Sequence, residues 1–139
     1  IHCPELREGE RVPFSAVERV RPLADQAEFL LFHTGWGRYW GTERYFGDYP
    51  CIDQGIVDYL LQSGKKGVGL DTIGVDPIAD AYLSIHRRLF QDHDLVVMEN
   101  LANLDQIGDG LFTLFALPLR YQDADGSPIR AVAVLDGEE

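Results

Sequence analysis

The sequence predicts an α/β (α+β) fold, a mixed β-sheet flanked by helices. Three observations carry this. The short apolar runs Glu28–His33, Gly67–Asp71 and Leu95–Glu99 read as buried strands. Helical patterns over Gln54–Gln62 and Tyr82–Gln91 separate them. Two further strand-like segments, Leu111–Tyr121 and Ile129–Leu135, flank the turn signal Asp123-Ala124-Asp125-Gly126 and predict a terminal hairpin. Helices between early strands and a late hairpin give a mixed sheet.

Taken in order, the first segment is polar and mixed. Ser15 is the expected N-cap of a first helix, with Glu18 as the answering residue of a capping box. The stretch from Trp36 to Gly47 is rich in aromatics and glycine, a density that breaks regular structure and predicts a loop. Asp53 is the expected cap of the Gln54–Gln62 helix and Gly64 its left-handed stop. Leu83, Ile85, Leu89 and Phe90 are the apolar positions of the next helix. Pro118 marks an edge or a bulge in the first strand of the hairpin.

The chain of 139 residues suits a single domain, 1–139, and a core that buries about two-thirds of the unfolded surface. A formal net charge of -11 argues against nonspecific nucleic-acid binding and against an anionic membrane surface. No apolar run approaches the ~20 residues of a membrane-spanning helix. Cys3 and Cys51 are too few for a disulfide framework and lack partners at metal-ligand spacing. They read as free thiols, which implies a cytoplasmic location. Ile1-His2-Cys3-Pro4 has no signal-peptide pattern and no initiator methionine, as expected of a processed or truncated chain.

Two residues stand out chemically. Glu99 follows an apolar strand, where an unpaired charge is expensive to bury, so it needs a partner. His86 lies in a helix. Imidazole nitrogen plus carboxylate oxygen suits zinc or manganese. The alternatives are a packed or surface histidine and a salt-bridged glutamate. Asp71 and Asp76 flank a turn and are either turn caps or outer acceptors. Asn100 and Asn103 are suited to anchoring the loop that follows Glu99. Trp36, Tyr39 and Trp40, with Tyr45 and Phe46, are candidates to line a pocket for a flat aromatic substrate; packing onto the core or into an interface is the alternative.

Four blocks recur in order with family-like spacing: His33-Thr34-Gly35-Trp36 to Trp40, Gly69-Leu70-Asp71-Thr72 to Pro77, His86-Arg87-Arg88-Leu89 with Glu99-Asn100-Leu101 to Gln106, and Ala116-Leu117-Pro118-Leu119 with Gly126 to Ala131. Together they resemble the cyclase family of metal-dependent hydrolases, which includes kynurenine formamidases, isatin hydrolases and polyketide-associated cyclases. The resemblance implies a barrel-like mixed sheet of the swivelling β/β/α type and hydrolysis of a formamide or cyclic amide. It implies a divalent metal, zinc or manganese, with His86 and Glu99 in the positions of two ligands. It also implies a small-molecule substrate and a homo-oligomer.

The chain departs from that family in one respect. The HxGTHxDxPxH motif, which supplies the other ligands and a proposed general base, has no counterpart here. The remaining histidines are His2, His33 and His93. His33 stands where the family has Arg or Lys, and His93 falls in a predicted exposed turn. Two ligands are too few for a complete site, so weak metal binding and slow hydrolysis are expected of this chain alone. A piece of a longer enzyme is the favoured explanation; a site shared with another chain and a non-catalytic paralogue are the alternatives.

Overall fold

The computed structural model describes residues 1–91 and 94–135, so the expectation for His93 lies outside the described residues. Two compact units form, Ile1–Asp109 and Gly110–Glu139.

In the first unit, β1 (Arg11–Val12) leads into the short helices α1 (Ser15–Glu18) and α2 (Arg21–Gln26). Strand β2 (Phe29–Phe32) is followed by two 3-10 turns, Trp36–Tyr39 and Glu43–Phe46, and by β3 (Cys51–Ile52). Helix α3 (Gln54–Gln62), β4 (Gly67–Leu70), α4 (Ser84–Phe90) and β5 (Val96–Met98) complete the unit's regular elements, with a 3-10 turn at Leu104–Gln106. Strands β2, β4 and β5 form one parallel sheet with β4 central, and β1 pairs parallel with β3.

The second unit is the hairpin of β6 (Thr113–Pro118) and β7 (Ile129–Val134), antiparallel from Thr113↔Val134 to Pro118↔Ile129. The mixed α/β class is therefore as the sequence predicts. The strands form three small sheets among the described residues, and none closes into a barrel.

Local reasons account for most elements. Asp53 caps α3 as expected, accepting from Ile56 N at 2.9 Å, and Gly64 takes φ +66° after it. Ile56, Val57, Tyr59 and Leu60 then turn into the core beside Leu30, Phe32, Val68 and Leu70. The first helix differs from expectation. Ser15 is inside it rather than its cap and makes no capping bond; the second oxygen of Asp53 instead accepts from Phe14 N at 2.8 Å. Strand β2 is fully buried on one face only, through Leu30 and Phe32, while Phe29 and Leu31 on the other face are half-buried. The central strand β4 is buried throughout.

Glycine in β4 is a steric requirement. A Cβ on Gly67 would lie 2.3 Å from the Val96 carbonyl oxygen and 2.6 Å from the Phe29 ring. A Cβ on Gly69 would lie 2.6 Å from both Leu101 and Leu31. Close approach of neighbouring strands is what glycine permits here. Ahead of β4, Lys65 is buried, and its ammonium donates to the carbonyls of Ala24, Asp25 and Ala27, closing the C-terminal end of α2. Among the described residues no helix is long and apolar enough to cross a membrane.

Candidate metal centre and adjoining cleft

The C-terminal ends of β2, β4 and β5 lie side by side because the strands run parallel. Thr34, Asp71 and Glu99 follow those ends. Crevices at this end of parallel strands are the usual ligand sites of α/β sheets.

Asp76 and His86 form the first part of the site. The Asp76 carboxylate is buried and accepts from the backbone N–H of Ile85 at 2.5 Å and of His86 at 3.1 Å. It thereby closes the open start of α4, whose cap position, Leu83, is left-handed at φ 51° and offers no side-chain acceptor. The same carboxylate lies 2.5 Å from His86 Nδ1. That contact sets the imidazole tautomer and orientation. The other ring nitrogen, Nε2, faces Glu99 Oε1 at 3.2 Å. The hydrogen bond to Glu99, then the hydrogen bond to Asp76 and its charge, raise the His86 pKa despite partial burial.

Tyr49 brings a buried hydroxyl to the same corner. A Cβ on Gly74 would lie 3.0 Å from that hydroxyl and 3.5 Å from Glu99 Oε1. Burial, then the neighbouring Cys51 and Glu99, push its pKa up.

A second buried carboxylate organises the aromatic loop. Asp71 accepts from Thr34 N at 2.9 Å, Thr34 Oγ1 at 2.6 Å and Gly37 N at 3.4 Å. Tyr45 donates to Asn100 Oδ1 at 2.6 Å, tying this loop to the segment after β5. Burial, then the charges of Asp71 and Glu99, push the Tyr45 phenol up to about 12. Between these elements lies a cleft of about 650 Å³ lined by His33, Arg38, Trp40, Asp71, Asn100 and Asn103 among others.

The residues singled out from sequence thus separate. His86 and Glu99 meet directly. Trp40 is 67% exposed and lines the cleft. Trp36 is buried, and its indole N–H donates to the Tyr45 carbonyl at 3.0 Å. Tyr39 packs edge-on against Trp36. Asp76 acts as helix cap and histidine acceptor together. The sequence offered it as a turn cap or an outer acceptor, without indicating which histidine it would meet. Tyr45, expected only as a pocket-lining aromatic, is buried and lines the cleft, and Tyr49 carried no sequence signal, since its role depends on contacts distant in sequence.

For a divalent cation, the donor chemistry fits in part. Nitrogen and oxygen donors 3.2 Å apart match two adjacent ligands held at about 2.0–2.2 Å from one ion. The contact between Asp76 and His86 matches the outer-shell acceptor that metal-binding histidines have. Among the described residues no group of three His, Cys, Asp or Glu side chains is arranged to hold an ion.

The parallel sheet and the groups gathered at its strand ends define an α/β domain whose candidate site lies at the C-terminal ends of the strands. Comparison with known proteins is more specific. Residues 9–77, about half of the chain, match the model of the family described as "Putative cyclase". A kynurenine formamidase of Bacillus anthracis is 42% identical over 83 residues, covering 60% of this chain and 39% of that protein. An isatin hydrolase bound to the product analogue thioisatinate superposes with a TM-score of 0.83 at 22% identity, over 99% of this chain and 58% of that one. A predicted metal-dependent hydrolase from Bacillus stearothermophilus gives 0.68 at 20% identity, over 96% and 60%. The chain belongs to the cyclase family. It spans less than half the length of the formamidase it matches.

Proposed function

We propose that the protein is a metal-dependent hydrolase of a formamide or cyclic amide, of the arylformamidase, kynurenine formamidase or isatin hydrolase kind. The supporting observation is the His86 imidazole, fixed by Asp76 on one nitrogen and presented to Glu99 by the other. His86 and Glu99 are the residues that would hold the cation, zinc or manganese. When bound, a cation of this kind supplies an activated water and polarises a carbonyl oxygen. Asp76 keeps the His86 ring from turning. Glu99, partly exposed, offers negative charge beside it. Trp40 offers an exposed aromatic face for a flat substrate, with Trp36 and Tyr39 supporting the loop behind it. The working assembly in this proposal is a cytoplasmic homo-oligomer built on one cyclase-like domain.

The test uses the protein as expressed from its gene, supplied with Zn²⁺ or Mn²⁺ and assayed with N-formylkynurenine and isatin. His86→Ala and Glu99→Ala are each expected to lose metal and turnover. Unchanged metal content in both variants refutes the reading.

One observation favours a second reading, a non-catalytic binding paralogue: the described residues offer only two donors at this site. Turnover of either substrate on metal addition excludes it. A substrate panel that finds ring closure rather than hydrolysis would instead indicate a polyketide-type cyclase.

A further inference from the structure

We propose that His2 and His33 form a second cation site at the rim of the cleft, a two-imidazole chelate for an ion with square-planar or octahedral preference such as Ni²⁺ or Cu²⁺. The two Nδ1 atoms face each other at 3.0 Å, with the rings at 78°. The backbone holds them there. His2 and His33 form a parallel bridge, in which Cys3 N donates to His33 O at 2.8 Å and His33 N to Ile1 O at 3.0 Å.

The tautomers follow from the surroundings. His2 Nε2 lies 3.2 Å from the Gly108 carbonyl oxygen, which only accepts, so Nε2 carries the hydrogen. The Asp109 carboxylate at 3.5 Å adds negative charge on the same side. His2 Nδ1 therefore turns a lone pair toward His33. This is the outer-shell arrangement of a metal-binding imidazole, one nitrogen fixed by a carbonyl and the other free to ligate.

His33 Nε2 has no partner among the described residues, and no side-chain nitrogen or oxygen there is buried without one. Nε2 is therefore open to solvent, and His33 lines the cleft. The proton now shared between the two Nδ1 atoms moves to His33 Nε2 when a cation takes its place, so neutral imidazoles bind without net proton release. Donors 3.0 Å apart, each about 2.0–2.1 Å from an ion, subtend about 90°. That angle suits adjacent positions of a tetragonal or octahedral ion better than a tetrahedral one. The remaining positions fall to water or to a ligand in the cleft.

The site is independent of His86 and Glu99, so the test runs in the His86→Ala background. Isothermal titration with Ni²⁺ is expected to find one equivalent there. Adding His33→Gln, or His2→Gln, should weaken it at least about tenfold, and Asp109→Asn should weaken it less. Equal Ni²⁺ affinity with and without His33→Gln overturns the proposal. Circular dichroism checks that the variants fold. If they do not, Cu²⁺ electron paramagnetic resonance on His86→Ala decides: splitting from two imidazole nitrogens is expected, and splitting from one or none overturns the proposal.

Discussion

The Asp76 carboxylate lies 2.5 Å from His86 Nδ1 and also accepts the two backbone N–H groups at the start of the helix that carries His86. One side chain thus couples the position of the helix to the orientation of its imidazole. Asp76→Asn keeps a similar shape but loses the charge and one acceptor oxygen. It should cost about 1–3 kcal/mol of stability, read by urea unfolding. Metal affinity in the intact protein should fall about 10–100-fold. A variant as stable and as tight as the parent would show that Asp76 does neither job.

Gly67→Ala should destabilise the sheet by about 1–3 kcal/mol. Its added methyl meets the rigid Val96 carbonyl and cannot be accommodated by a rotamer change alone. Gly126→Ala, which meets nothing within 4 Å, is the control. Similar denaturation midpoints for the two variants would contradict the packing argument.

Lys65 and Lys66 are adjacent yet should behave oppositely. Lys65→Met removes three hydrogen bonds to the carbonyls that end α2, one of them buried, and should cost about 1–3 kcal/mol. Lys66 pairs with Glu28 at the exposed surface, where such pairs contribute about 0–1 kcal/mol. Thermal denaturation of the two methionine variants makes the comparison.

Burial pushes the Cys51 thiol from an ordinary 9.0 up to about 12. A raised folded-state value means that the native protein holds a proton the unfolded chain has released. The resulting stability is complete below about pH 9 and is lost as pH rises toward 12. Cys51→Ala should flatten the alkaline decline by up to about 1.4 kcal/mol per pH unit. Native protein at pH 8 should also resist thiol reagents until it unfolds, since both cysteines are buried. Rapid native-state labelling at both positions would disprove this.

The two tryptophans offer an optical check. Trp36 is buried and Trp40 is 67% exposed. Trp40→Phe should remove most acrylamide-quenchable fluorescence and change stability by no more than about 0.5 kcal/mol. Trp36→Phe should leave quenching almost intact.

What the sequence determined by itself is local. The apolar runs of β2, β4 and β5, the Asp53 cap, the Gly64 stop and the turn of the hairpin each depend on residues a few positions apart, so periodicity and turn chemistry reveal them. The ordered blocks likewise marked the family and singled out His86 and Glu99.

Only the tertiary structure decided which of these side chains meet. Parallel pairing around β4 brings the ends of β2 and β5 together, and thirteen residues of chain fold so that His86 faces Glu99. It gave Asp76 its double task, sent Trp36 into the interior while leaving Trp40 on the cleft, and set His2 against His33 across thirty-one positions. Burial and hydrogen-bond partners are properties of the folded neighbourhood, and no spacing along the chain encodes them one residue at a time.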